Sequence, residues 1–236
     1  MNAHADVVVV GAGPSGLAAA HSAALSGARV ILADDQVEAG GWLLNERYEI
    51  DDKPAREWVE KVVKELTEME EVTVLRRTTA FGLYDHNFLG MIEQRGSKLT
   101  DGEGKTRQRI WRVRAQQVIL ATGAIERPMI FSNNDRPGVM LASAVRAYLN
   151  RYGVAAGQRV AVFTNNDDAY RTAIDLADAG VEVASIIDVR PDPSGMMITE
   201  AIRRDIEILE GSVVTDVQGR KGVESIQVGK LNDDGT

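Results

Sequence analysis

Val7-Val8-Val9-Val10-Gly11-Ala12-Gly13-Pro14-Ser15-Gly16-Leu17-Ala18-Ala19-Ala20 is the stretch on which the reading of this chain turns. Four β-branched residues suit a strand covered on both faces. Gly11, Gly13 and Gly16 follow at G-x-G-x-x-G spacing. In that pattern the first glycine permits a tight turn, the second lets backbone approach a pyrophosphate, and the third lets helix and strand pack closely. Small residues then run from Pro14 through Ala24, and Gly27 stands where a C′ residue belongs, so a helix over 14–24 is predicted. The N-terminus of such a helix, at Pro14 and Ser15, offers free N–H groups and about half a positive charge to an anion. A second strand over 29–33 delivers Asp34, 23 positions beyond Gly11. That is close to the roughly 20-residue offset of an acid that binds a ribose hydroxyl. An acid rather than an arginine favours an unphosphorylated 2′-hydroxyl, so FAD or NAD comes before NADP. Both share the fingerprint, and the motif does not choose between them.

Composition narrows the field. The balance of 27 basic against 35 acidic residues, a net charge of −8, argues against a nucleic-acid surface. No apolar run is long enough to span a bilayer. With no cysteine there is no disulfide, thiolate metal site or redox thiol pair, which agrees with a reducing cytoplasm.

Working outward, Asp34-Asp35-Gln36 leads to Ala39-Gly40-Gly41-Trp42. The glycine pair lets backbone pass close to a ribose or pyrophosphate. Trp42 either covers that ligand or belongs to the core. Residues 54–70 have Trp58, Val62, Leu66 and Met69 at helical spacing, with Pro54 in the first turn and Asp51 or Asp52 as N-cap. A third parallel strand over 72–75 leads to Thr78-Thr79-Ala80, where backbone would meet an adenine. Residues 81–94 and 109–115 alternate as a β-meander around a polar turn at 96–108. His86 reads as a surface histidine. Residues 117–120 form a further buried strand that ends on Ala121-Thr122-Gly123, at the carboxyl edge where ligands bind. Arg127 reads as solvated, with a phosphate or carboxylate contact as the other reading. A helix is expected over 141–152.

A second unit repeats the plan with a strand at 159–163, a helix at 167–179 and a strand at 181–187. Here Thr164, Asn166 and Ala169 stand where Gly11, Gly13 and Gly16 stood, and Asp188 lies 24 positions beyond Thr164. Asp167 and Asp168 suit a helix start but repel a pyrophosphate, so this cleft is predicted not to take a nicotinamide dinucleotide. A helix from 198 running into a strand at 206–209, then a hairpin of 213–217 and 223–228, close the readable pattern. The fold class is α/β: a Rossmann-like doubly wound parallel sheet with a β-meander over 1–150, and a second inserted, degenerate Rossmann-like domain over 155–231.

The order of these motifs, with Ala121-Thr122-Gly123-Ala124-Ile125-Glu126-Arg127-Pro128, resembles two-dinucleotide-fold flavoprotein reductases of the FAD/NAD(P)-binding superfamily. Asn133-Asn134-Asp135-Arg136-Pro137-Gly138-Val139-Met140-Leu141-Ala142, Tyr148-Leu149-Asn150-Arg151-Tyr152-Gly153-Val154 and Thr164-Asn165-Asn166-Asp167 resemble heterotetrameric sarcosine oxidase α subunits. Opine oxidases and hydrogen cyanide synthase share the Glu-Arg-Pro region. The resemblance runs from about residue 5 to 230.

It implies a non-catalytic NAD in the first domain. Gly11, Gly13, Pro14, Ser15, Gly16 and Asp34 would hold it, with Asp35, Gln36, Gly41, Ala80, Ala121, Thr122 and Gly123 beside it. FAD is the runner-up at the same place. It also implies FAD and covalent FMN as the assembly's flavins, the FMN lying between the α and β subunits, and oxidation of sarcosine at flavin in the β subunit. The products are glycine, hydrogen peroxide, and formaldehyde or methylenetetrahydrofolate. Family α subunits are several times longer and carry a folate-binding domain. Neither that domain nor a strand returning after Val228 to finish the first domain lies in these residues, so a fragment with an unpaired strand edge is expected. Two other readings stay open: a free-standing flavin reductase, weakened by the missing cysteines, and a non-binding scaffold subunit.

Overall fold

The computed structural model describes residues 1–96 and 107–232. The chain packs as two compact units, Met1–Ala124 and Ile125–Thr236.

In the first unit, β1 (Asn2–Val10) carries the apolar run, α1 (Pro14–Leu25) follows the glycine turn, and β2 (Val30–Ala33) lies parallel to β1. A small hairpin, β3 (Glu49–Ile50) and β4 (Lys53–Pro54), precedes α2 (Ala55–Glu68). Then come β5 (Val72–Leu75), β6 (Thr78–Tyr84), β7 (Phe88–Gln94) and β8 (Gln108–Leu120). The sheet order is β5-β2-β1-β8-β7-β6. Its first four strands are parallel, and β7 runs antiparallel to both of its neighbours.

Side-chain alternation along β1 and β2 splits the core into two layers. Val9, Val30 and Leu32 pack under Leu17 and Ala20 of α1 and Val59, Val62 and Leu66 of α2. Val8, Ile31 and Ala33 pack on Leu89, Met91, Trp111 and Val113 of the meander.

In the second unit, α3 (Ala142–Tyr152) precedes β9 (Arg159–Thr164), α4 (Asp168–Asp178), β10 (Glu182–Asp188), α5 (Met196–Ile202) and β11 (Ile208–Leu209). The three strands form a parallel sheet of order β11-β10-β9. Tyr170, Ala173, Ile186 and Ile198 are its core. A hairpin, β12 (Ser212–Gln218) with β13 (Ser225–Lys230), adds Val214 and Val217 around Ile187.

Several details differ from the pattern in the sequence. Asp51 and Asp52 do not cap α2. They turn the β3–β4 hairpin with φ of 55° and 58°, and Pro54 takes the N-cap position. Residues 109–115 and 117–120 are one strand, the 13-residue β8. The polar Gln116 between them does not break it, because Gln116 donates to Asp6 at 2.8 Å and its carbonyl accepts from Asn87 at 2.8 Å. Nor is its end buried: Leu120 is 64% exposed. Residues 115–120 pair with β1, but the β7 ladder stops at Arg114, and no described strand covers their other side. The helix begun at 196 stops at Ile202, before the short β11. By packing, α3 groups with α4 in the second unit, so the units part at Ala124 rather than near residue 150. Most of the polar turn placed at 96–108 lies outside the described residues.

Candidate functional site

The two βαβ crossovers have the same chain path and opposite chemistry. At the first, Gly11 has φ +103°, and a Cβ there would stand 2.2 Å from the Ala121 carbonyl oxygen. A Cβ on Gly16 would fall 1.8 Å from the Gly11 carbonyl oxygen. Both positions therefore have no room for a side chain. Gly13 is different: its Cβ would meet only the Gly41 Cα, at 4.0 Å. The space over Gly13 is thus not filled by packing.

No side chain caps α1 at Gly13, and Pro14 opens the helix. The first intrahelical bond is Leu17 N–H to Gly13 O at 2.9 Å. The Ser15 and Gly16 amides precede it and, by helix geometry, have no partner within the helix. Gly40 N–H donates to Ala12 O at 2.7 Å, which holds Gly41 over the turn. Ala121 N–H donates to Val10 O at 2.8 Å, which brings Ala121 and Thr122 under it. Gly123, φ +71°, opens outward with nothing near it.

Asp34 closes the group. One carboxylate oxygen accepts from Ala12 N–H at 2.5 Å and the other from Gln36 N–H at 2.8 Å. Each carboxylate oxygen has two acceptor positions, so each retains one. Asp35 accepts from the Gln36 side chain. The Asp34 carbonyl accepts from Thr78 N–H at 2.7 Å, and the Gln36 carbonyl from Arg77 N–H at 3.0 Å. Ala80 follows two residues on in β6.

The residues named from sequence therefore lie about one glycine turn: Gly11, Gly13, Pro14, Ser15 and Gly16 make it, Asp34, Gly41, Ala121 and Thr122 stand beside it, and Asp35, Gln36, Ala80 and Gly123 follow on from these. Trp42 is 39% exposed, so it is not a core residue. His86 is exposed in a short turn of the meander, and Arg127 is exposed in the loop that follows Gly123.

At the second crossover the corresponding space is filled. Thr164 Oγ1 donates to Asn166 O at 2.8 Å and accepts from Asn166 N–H at 3.1 Å. Asn166 Oδ1 accepts from Asp168 N–H at 3.0 Å, occupying the start of α4. Asp188, fully buried, accepts on one oxygen from Arg190 N–H (2.9 Å) and Nε (3.1 Å). Its other oxygen accepts from Tyr170 Oη (2.8 Å) and Arg190 Nη2 (2.7 Å). No acceptor position remains for a ribose. Burial pushes the Asp188 carboxyl up, but the Arg190 hydrogen bonds outweigh it and hold the group below the ordinary carboxylate range. Burial and the bond to Asp188 push the Tyr170 phenol up. Arg190 also reaches Asp167 at 2.7 Å.

Sequence reading missed Arg190 and Tyr170. One signal was present: Arg190 stands two residues after Asp188, as Gln36 does after Asp34. It also missed Glu126, whose carboxylate accepts from Ala142 N–H (3.2 Å) and Ser143 N–H (2.8 Å) and so caps α3. Among the described residues, no cluster of His, Asp and Glu could hold a metal, and no helix is long and apolar enough to cross a membrane.

With this geometry in place, comparison with known proteins is informative. The sequence profile of the family described as pyridine nucleotide-disulphide oxidoreductase matches residues 5–236. Sarcosine oxidase subunit alpha of Corynebacterium sp. (strain P-1) is 48% identical over 239 residues, covering 99% of this chain and 24% of that protein. The subunit of the same name from Rhizobium meliloti (strain 1021) is 45% identical over 227 residues, covering 96% and 22%. The chain thus spans about a quarter of the length of these curated relatives. Thioredoxin reductase of Lactococcus lactis superposes with a TM-score of 0.70 at 21% identity, over 95% of this chain and 70% of that one, and shares its fold.

Proposed function

The chain belongs to the pyridine nucleotide-disulphide oxidoreductase family, and from that premise we propose that its first crossover binds NAD as part of a sarcosine oxidase α subunit. One observation carries this reading: α1 starts with no side-chain cap, beneath a turn whose open space at Gly13 nothing fills. The Ser15 and Gly16 amides and the helix dipole would hold the pyrophosphate. Asp34 would accept the ribose hydroxyls on its two remaining acceptor positions. Gly41 and Thr122 would line the two sides, with Ala80 toward the adenine.

Bound NAD would supply hydride chemistry in principle; the likeness to sarcosine oxidase α subunits supports a non-catalytic role for it here. In the assembled enzyme, sarcosine would be demethylated oxidatively at flavin held with a partner β subunit, in the cytoplasm. Sarcosine, O2 and water would give glycine, formaldehyde and hydrogen peroxide; with tetrahydrofolate present, its condensation with the formaldehyde would give methylenetetrahydrofolate and return the water. The second crossover would take no nucleotide, because its own Arg190, Asn166 and Thr164 fill it.

Mass spectrometry of the denatured protein, with calorimetry against NAD and FAD, tests the site. NAD binding that Asp34→Ala weakens by about 1.5–3 kcal/mol, the strength of a charged hydrogen bond, is expected. FAD in place of NAD, with a yellow preparation, reassigns the ligand. Binding of neither removes the proposal and leaves a scaffold subunit.

A further inference from the structure

The Gly41–Asn45 turn sets the base of Trp42 on the glycine loop. Gly40 N–H bonds Ala12 O, and Gly41 is so close to Gly13 that a Cβ on it would reach the Gly13 Cα at 2.9 Å. From that base the indole Nε1–H reaches across to the Ala124 carbonyl at 3.5 Å. Ala124 ends a short arm. Its near end, Ala121, is tied to β1 and lies under Gly11. Beyond the open Gly123, the arm meets the indole. Trp42 therefore joins the two backbone segments that flank the space over Gly13.

The other two tryptophans do not share this setting. Trp111 is buried and donates to Glu93 at 2.9 Å, and Trp58 packs on the core of α1 and α2. The Trp42 bond is long and its ring is partly in water, so it opens at small expense. Because the indole ties together the two segments between which a dinucleotide would pass, it would stand in the way of entry as well as exit.

We propose that Trp42 is a strap across the dinucleotide site, whose opening sets the rate of ligand exchange. The proposal rests on the site assignment above. A strap closed in both states slows association and release together and leaves the equilibrium nearly unmoved. A residue that simply touches the ligand instead changes release and affinity with association unaltered.

The test is stopped-flow association and dilution-release of NAD with the wild-type chain, Trp42→Phe and Trp42→Ala. FAD replaces NAD as the probe if calorimetry shows that it binds more tightly. Trp42→Phe keeps an aromatic ring, though a smaller one, and removes the donor. Both of its rates should rise about twofold to fivefold, the factor of one weak hydrogen bond, with Kd changed less than either rate. Trp42→Ala should raise both further. The change in tryptophan emission on binding should vanish in Trp42→Phe and survive in Trp58→Phe. Rates equal to wild type in both Trp42 variants overturn the strap. So does a loss confined to Kd and release. A wild-type chain that binds neither dinucleotide overturns the site and the strap together, whereas binding with unaltered exchange overturns the strap alone.

Discussion

The β1–α1–β2 and β9–α4–β10 crossovers differ mainly in what their turns and strand-end acids bond to. In the first, Asp34 bonds two backbone amides and keeps an acceptor position on each oxygen. In the second, Asp188 is saturated by Arg190 and Tyr170 and removed from water. Neither N-cap side chain bonds its helix, but the residue before the second N-cap, Asn166, takes the Asp168 N–H, and no side chain stands at the first. A strand-end carboxylate is therefore not by itself a ligand group. What decides is whether the protein has already satisfied it.

The harshest way to break the comparison is Gly16→Ala. Its Cβ would overlap the Gly11 carbonyl oxygen and push α1 off the turn. Overpacking of this kind is expected to destabilise the first unit by about 3 kcal/mol. Misplaced amides should also weaken NAD binding by about 100-fold or more. The reverse change at the matching position, Ala169→Gly, removes a buried methyl from α4 and should destabilise by only about 1 kcal/mol. It should create no nucleotide site, since Arg190 and Asn166 still fill the space. Urea unfolding and calorimetry read both, and nucleotide binding gained by Ala169→Gly would undo the distinction.

Asp188→Asn comes next and probes the second crossover alone. Removing one charge of the pair should destabilise by about 3 kcal/mol, at the low end for a buried pair because Arg190 reaches solvent. NAD affinity should not move. The pH dependence has a definite sign. Asp188 is held below its ordinary 3.8, so its contribution is complete above that value and is lost as pH falls through the lowered one. Tyr170 is raised above its ordinary 10.0, so its contribution is complete below that value and fades as pH rises beyond it. Urea midpoints against pH should therefore show wild-type stability dropping below about pH 4, with a smaller drop in the variant. Parallel acid limbs would remove Asp188 from the account.

The features read from the sequence were those written in local spacing. Glycine spacing, the helix stop at Gly27 and the acid after β2 each follow from one segment, and so does the loss of glycines in the second crossover. What was not legible depends on distant partners. Gln116 looked like a break between two strands, because Asp6 and Asn87, which satisfy it, lie 110 and 29 positions away. Asp51 and Asp52 suited a helix cap by type, but the β3–β4 hairpin took them for its turn. Arg190 reads as an ordinary charged residue until α4 brings Asp167 and Tyr170 beside it. The depth of β8 was misjudged for a related reason: an apolar run predicts burial only where a second strand or helix covers it, and Leu120 has β1 on one side alone.

Gly13→Ala is the gentlest change and separates packing from binding. Gly13 has φ −72°, which alanine adopts freely, and the new methyl would touch only the Gly41 Cα at an ordinary 4.0 Å. Stability should stay within about 0.5 kcal/mol, or rise slightly as the unfolded chain loses freedom. Yet the methyl would stand where the pyrophosphate approaches the turn, and strain of about 1–3 kcal/mol there corresponds to NAD binding weaker by about fivefold to 150-fold. Unlike Gly16→Ala, it leaves the helix in place, so a fall in affinity cannot be laid to a damaged fold. An unchanged melting curve with an unchanged Kd would mean that the space over Gly13 is not the ligand's, and the bare turn of the first crossover would then be as idle as the filled turn of the second.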